Sequence, residues 1–280
     1  MIRNREFPGR LDDYLETDDI GGTQGRLRRW RHGLMRSLYF RAADCIITVS
    51  AFAKWQLVHL LGVPEKSVKV IYEAPDEIFA VALPLAHIDR VLMKYGVSCP
   101  YVLFVGGYDK RKNPTTLLRV FADLQRLGAT ECLVLTGSGG DVATAKRYAQ
   151  SLGLVEGRNL LFLERVHEDL PALYQGAKLF ITLSWEETFC FPLVEAMASG
   201  IPVVASCLGA IPEIIGDAGV LVDPRDTGHI VRTLRDLLAS PDARRDLADR
   251  AARRAQFFSW NKAADETLVI YHELTSPDGV

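Results

Sequence analysis

From Tyr101 onward, short and continuous apolar runs alternate with amphipathic stretches. Tyr101–Val105 is one such run, and it stops at Gly106-Gly107. Cys132–Thr136 is the next, and it stops at Gly137-Ser138-Gly139-Gly140. Further runs fall at Leu160–Leu163, 179–183, 202–206 and 219–222. Runs with no polar alternation suit strands buried on both faces, and the stretches between them have room for crossover helices. The pattern predicts a doubly wound, Rossmann-like α/β domain with a parallel sheet.

The chain ahead of this domain is less complete. A helical pattern covers 26–41, an apolar run covers 45–50, a second helical pattern covers Ala51–Leu61, and a second apolar run covers 68–72. Two strands and two helices fall short of an α/β domain of usual size. They read as the final part of a second Rossmann-like domain. The expected organisation is a partial N-terminal, acceptor-side domain over 1–80, a linker over 81–98, a complete C-terminal domain over 99–257, and a last helix with its tail over 258–280.

Composition narrows the class. The 280 residues carry a formal net charge of -2, which gives no reason to expect nucleic acid as a partner. The five cysteines form no C-x-x-C pair, so the expectation is a reduced, cytoplasmic protein with neither a disulfide framework nor a zinc site. No apolar run approaches the roughly 18 residues of a membrane span. The first residues lack an apolar core, which argues against a signal peptide. Arg26, Arg28, Arg29, Arg31, Arg36 and Arg41 are interleaved with Leu27, Trp30, Leu34, Leu38, Tyr39 and Phe40. A solvated face of a first-domain helix is the simpler reading. The other is an anionic membrane surface, with the protein peripheral at its inner face.

Two strand-to-helix turns have the chemistry of an anion site. In Gly106-Gly107-Tyr108-Asp109-Lys110-Arg111-Lys112-Asn113-Pro114, glycines let the backbone approach an anion. Asn113 is a good N-cap, Pro114 a good first helical residue, and the helix start is electropositive. A solvated basic loop is the plain alternative. In Glu187-Thr188-Phe189-Cys190-Phe191-Pro192-Leu193-Val194-Glu195, Pro192 begins a helix, Glu187 precedes it and Glu195 lies one turn inside. The N–H groups of Phe191, Leu193 and Val194 are expected to face the C-terminal edge of the sheet, where open α/β sheets bind ligands. Two carboxylates beside a phosphate site suit the hydroxyls of a ribose and a hexose.

The string from Ser184 to Ser206 resembles the E-x7-E region of glycosyltransferase family 4, also called group 1. Val105-Gly106-Gly107-Tyr108-Asp109-Lys110-Arg111-Lys112-Asn113 is similar to the phosphate loop of that family. Gly209-Ala210-Ile211-Pro212-Glu213, Gly216-Asp217-Ala218-Gly219, Phe258-Ser259-Trp260 and Thr48-Val49-Ser50 resemble further family segments in the same order. The resemblance implies a GT-B fold of two facing Rossmann-like domains, with most of the N-terminal one lacking here and the last helix crossing back onto it. It implies a hexosyltransferase that moves a hexose from a nucleoside-diphosphate sugar to a glycan, lipid or small-molecule acceptor with retention, in cell-envelope or polysaccharide synthesis.

It also implies roles. Lys112 and Arg111 would hold the donor diphosphate, and Glu187 would contact the transferred sugar; these three form the expected catalytic set. Glu195 would bind the ribose. Gly106, Gly107, Phe189, Cys190, Phe191, Pro192 and Leu193 would surround the phosphates. Gly137 would line the nucleotide, and the backbone near Val166 would touch the base. No cofactor and no metal are expected. Two departures stand out: Gly107 where the family often has Arg, and Cys190 where it commonly has Gly. A small packing role for Cys190 is preferred over a nucleophile. The expectation for this chain alone is nucleotide binding without transfer. The alternative is a nucleotide-sugar-binding subunit that works with a separate N-terminal half. A GT-B epimerase or phosphorylase fits less well.

Overall fold

The computed structural model describes residues 40, 42–164 and 166–276. The basic helical pattern of 26–41, and with it the membrane reading, lies outside the described residues apart from Phe40. The chain divides into two compact units between Val70 and Ile71.

The first unit is one β–α–β crossover. β1 (Ile46–Thr48) and β2 (Val68–Val70) are parallel, with Ile46 opposite Val68. Helix α1 (Ala51–Leu61) connects them. Ser50 starts it by accepting from the Ala53 N–H at 3.0 Å. Gly62, at φ 67°, ends it in the left-handed conformation typical of helix ends.

The second unit opens with a 3-10 turn at Glu77–Ala80 and helix α2 (Leu85–Lys94), which occupies much of the stretch expected as linker. Ile88 and Val91 are buried on α2. Its end is tied down where Lys94 and the Tyr95 hydroxyl donate to Asp169 at 2.5 and 2.8 Å. Six strands follow: β3 (Tyr101–Val105), β4 (Cys132–Thr136), β5 (Leu160–Leu163), β6 (Leu179–Thr182), β7 (Val203–Ser206) and β8 (Val220–Val222). Between and after them come α3 (Pro114–Arg126), α4 (Val142–Ser151), α5 (Leu170–Gln175), α6 (Phe191–Ala198), α7 (Ile211–Ile215), α8 (Thr227–Ala239), α9 (Pro241–Ala255) and α10 (Trp260–Thr275).

All six strands are parallel, in the order β5-β4-β3-β6-β7-β8. Successive strands step outward on one side of β3, then return to build the other side from β6. This is the doubly wound order, and β3 and β6 flank its switch point. Val102, Phe104, Leu133 and Ile181 point to one face and Leu103, Val134, Phe180 and Val203 alternate with them along the strands; all are fully buried. Both faces are therefore covered, α3 packing with α4 and α8, and α6 with α7 and α9. Full burial of such side chains supplies about 1.5–3 kcal/mol each. That is why unbroken apolar runs, rather than alternating ones, mark these strands.

The structure corrects the cysteine reading. Cys99 and Cys132 are joined in a disulfide, with Cα atoms 6.2 Å apart. The cause is sheet register: Cys132 opens β4 opposite Tyr101, and Cys99 lies two residues before Tyr101. The pairing spans 33 residues and leaves no local spacing signal. Cys45, Cys190 and Cys207 are free.

Candidate functional site

The turns after β3 and β6 both emerge at the C-terminal edge of the sheet, on either side of the switch point. After β3 the chain passes Gly106 and Gly107 and makes a 3-10 turn at Lys110–Lys112. Asp109 caps that turn by accepting from the Lys112 N–H at 3.2 Å. Asn113 then adopts φ 57°, a left-handed conformation that Asn tolerates better than most residues. Its side-chain oxygen caps α3 through the Thr116 N–H at 3.4 Å, while its amide donates to the Leu183 carbonyl at 3.0 Å. The expected cap and first-turn proline are in place. Part of the helix start is thereby satisfied internally, and Asn113 is buried. The run expected as strand to 183 ends at Thr182, and the Leu183 carbonyl serves this cross-tie.

The glycines of the first turn interlock with those after β4. Gly137 has φ 142°, and a Cβ there would lie 2.1 Å from the Gly106 carbonyl oxygen. A Cβ on Gly107 would lie 2.8 Å from the Ser138 carbonyl oxygen. The Tyr108 N–H donates to the Gly139 carbonyl at 2.7 Å. The absence of an Arg at 107 has a steric reason here, because even a methyl group meets backbone. Gly137 sits against the turn after β3 itself.

The turn after β6 carries Glu187, and three donors converge on its carboxylate. Lys112 Nζ lies 2.6 Å from Oε1, Arg111 Nη1 lies 2.9 Å from Oε2, and Ser184 Oγ donates to Oε1 at 2.8 Å. Ser184 is in turn 3.2 Å from Thr182 Oγ1. The Glu187 side chain is 7% exposed and that of Lys112 14%, whereas that of Arg111 is 48% exposed. Two further bonds lock the turns together: the Trp185 N–H donates to the Arg111 carbonyl at 2.8 Å, and the Arg111 side chain donates through Nη1 to the Glu186 carbonyl at 3.1 Å. The Ala210 N–H donates to the Glu187 carbonyl at 2.9 Å.

Cys190 is the N-cap of α6 and has φ 80°, ψ 73°. That left-handed backbone is a physical reason for glycine at this position. The thiol is buried, and burial, followed by the charge of Glu187, pushes its pKa up. It stays protonated, as suits packing rather than nucleophilic attack. The Leu193 and Val194 N–H groups turn back to the Cys190 carbonyl at 3.0 and 3.4 Å. They do not point to the sheet edge as expected, because the first turn of α6 closes on its own cap. The Phe191 N–H has no acceptor among the described residues. Pro192 takes its expected place in the first turn. Phe191 is partly exposed, while Phe189 is buried edge-on to both Phe191 and Phe258 at centroid distances of 5.5 and 5.7 Å.

Glu195 lies one turn into α6 and is partly buried. Tyr174 donates to its Oε2 at 2.9 Å and lies 3.2 Å from the Pro192 carbonyl. Burial raises the Glu195 pKa above the ordinary carboxylate range; the Tyr174 bond opposes this and the charge of Asp76 adds to it. Tyr174, wholly buried, is itself pushed far above its usual value by burial and by that carboxylate. Val166 is buried beyond β5, its carbonyl accepting from the Asp169 N–H at 3.0 Å. Among the described residues no hydrogen bond links it to the two glutamates.

The structure thus unites Lys112, Arg111 and Glu187, places Cys190 where both glutamate charges reach it, and gives Glu195 a separate partner. Ser184, Thr182, Tyr174, Asp109 and Gly209 were not singled out from the sequence. Ser184, Asp109 and Gly209 lie inside segments that resembled the family, which was the one available signal.

Comparison with known proteins adds the following. The pattern of the glycosyl transferases group 1 matches residues 97–254, and that of Glycosyltransferase Family 4 matches residues 13–77. An O-antigen chain mannosyltransferase B of Escherichia coli is 32% identical over 255 residues, covering 88% of this chain and 64% of that protein. A D-inositol 3-phosphate glycosyltransferase of Salinispora arenicola is 35% identical over 189 residues, covering 64% of this chain and 42% of its own length. The chain therefore spans less than two thirds of either relative. Among solved structures, a glycosyltransferase from Rickettsia africae superposes with a TM-score of 0.77 at 19% identity, over 86% of this chain and 67% of that one. Anabaena Alr3699/HepE, in complex with UDP and glucose, gives 0.75 at 22% identity, over 91% and 68%.

Proposed function

The chain belongs to the group 1 glycosyltransferases, and on that premise we propose that its second unit binds a nucleoside-diphosphate sugar at the β3/β6 switch point. Lys112 and Arg111 meet the diphosphate, with the Phe191 N–H available to its distal phosphate. Glu187 takes hydroxyls of the sugar, and Glu195 takes those of the ribose. Gly106, Gly107 and Gly137 allow close backbone approach, and the backbone near Val166 meets the base. The observation that carries the reading is the convergence of two cations and a carboxylate, from turns 75 residues apart, on the edge where such sheets bind ligands.

The reaction is hexosyl transfer with retention. The bond between the anomeric carbon and the distal phosphate oxygen breaks, and its electron pair stays on the phosphate. Lys112 and Arg111 stabilise that charge electrostatically. They do so as fixed cations, and no metal is assigned a part. The hydroxyl of the acceptor, a glycan or a lipid-linked molecule, bonds to the anomeric carbon on the departing face, and its proton passes to the leaving phosphate. A role in cell-envelope or polysaccharide synthesis, in the cytoplasm or at the inner membrane face, is part of the same proposal. Among the described residues no helix is long and apolar enough to cross a membrane.

A thermal-shift screen with UDP, GDP, ADP and their sugar conjugates tests the donor site, since a ligand selective for the folded state raises the melting temperature. No shift with any nucleotide refutes it. Proton NMR of the glycoside formed with bound donor then reads the anomeric configuration, and an inverted product refutes retention.

A further inference from the structure

Glu187 holds both cations that the donor-site reading assigns to a diphosphate. We infer that its carboxylate is a built-in competitor for that diphosphate, one that makes the site discriminate against a nucleoside diphosphate bearing no sugar. The inference rests on the donor-site reading and adds a specificity role to it.

Both carboxylate oxygens are engaged: Oε1 by Lys112 at 2.6 Å and Ser184 at 2.8 Å, Oε2 by Arg111 at 2.9 Å. A diphosphate that reaches Lys112 and Arg111 must draw them away from Glu187 or share them. The carboxylate is nearly buried, so water cannot replace what it loses. A sugar on the diphosphate brings its own hydroxyl donors, which restore those bonds. A free nucleoside diphosphate brings none. It also carries more negative charge on its terminal phosphate, next to a carboxylate stripped of its cationic partners. The penalty therefore falls on the product more than on the substrate, and it favours departure of the product after transfer.

The carboxylate cannot evade this competition by swinging aside. Ser184, fully buried and backed by Thr182, holds it from the protein side. Its backbone is pinned by the Ala210 N–H at 2.9 Å. Gly209, at φ 64°, closes on it: a Cβ there would lie 2.7 Å from the Glu187 nitrogen.

Calorimetric titration of the chain with UDP, GDP and ADP, and with UDP-glucose, GDP-mannose and ADP-glucose, tests the inference in the parent, Glu187→Gln and Ser184→Ala. For the base that the parent binds, Glu187→Gln is expected to tighten the free diphosphate about tenfold and the conjugate less, so the preference for the conjugate shrinks. Ser184→Ala keeps the charge but frees the carboxylate, and is expected to move the same ratio the same way by a smaller factor. It also decides the matter alone if Glu187→Gln does not fold. A parent that binds a nucleotide, with variants that bind the free diphosphate no tighter, overturns the inference while the donor site stands. A parent that binds none overturns both.

Discussion

Lys112 and Glu187 lie 75 residues apart and meet at 2.6 Å across the switch point of the sheet. Each is mostly withdrawn from solvent, so the pair sits between a surface salt bridge and a buried one. Lys112→Ala leaves the carboxylate with Arg111 and Ser184. A loss of about 1.5–3 kcal/mol in stability is expected, the usual range for a charged hydrogen bond. Nucleoside-diphosphate affinity is expected to fall at least about tenfold. Urea denaturation and calorimetry measure the two; unchanged affinity removes Lys112 from the phosphate site.

Glu195 gives a pH signature. Its raised pKa means that the folded chain binds this proton more tightly than the unfolded chain. The stability it contributes is full below the ordinary glutamate range and is lost as pH rises through the raised value. Glu195→Gln, neutral throughout, is expected to gain on the parent as pH rises from 4 to 8, while ribose-containing ligands bind it more weakly. Melting curves across that range that run parallel for the two proteins would contradict the first part, and an unchanged dissociation constant the second.

Cys190 inverts the usual ranking of alanine and glycine. A left-handed non-glycine residue costs about 1–2 kcal/mol. At φ 80°, Cys190→Gly is therefore expected to exceed Cys190→Ala in stability by roughly that amount, against the ordinary order in which glycine is the worse. Parallel urea titrations of the two variants give the sign directly.

The disulfide yields a thiol count. In denaturant without reductant three thiols should react with Ellman's reagent, those of Cys45, Cys190 and Cys207, and after reduction all five. Closing a 33-residue separation is worth about 3–4 kcal/mol in the chain-entropy model. Cys99→Ser should accordingly lower the melting temperature. Five reactive thiols before reduction would dismiss the bond.

The sheet was legible because its strands are buried on both faces and so read as unbroken apolar runs. The Asn113-Pro114 helix start was legible because capping is local. Helix α2 was not recognised, although Ile88, Val91 and Leu92 have helical spacing; the prolines around it, Pro75 and Pro84, dominated that stretch. What depends on sheet order was out of reach. Strand register sets the Cys99–Cys132 pairing, and the adjacency of β3 and β6 sets the grip of Lys112 and Arg111 on Glu187. The family resemblance named these residues, but their mutual contacts exist only once β6 has been laid beside β3. The left-handed turn at Cys190 was signalled only by the family resemblance, in which glycine is common at that position.

The same adjacency orders events during synthesis. When Lys112 leaves the ribosome, its carboxylate partner has yet to be made, and Ala210, which pins the Glu187 backbone, comes later still. The first turn must wait as a basic surface through the translation of β4, β5 and β6, and the strand that completes its neighbourhood joins the free edge of β3 only after the other side of the sheet has been laid down. The proposed donor site is consequently completed only after β7 has been made, so a nascent chain stalled before Glu187 would present the cations without their carboxylate.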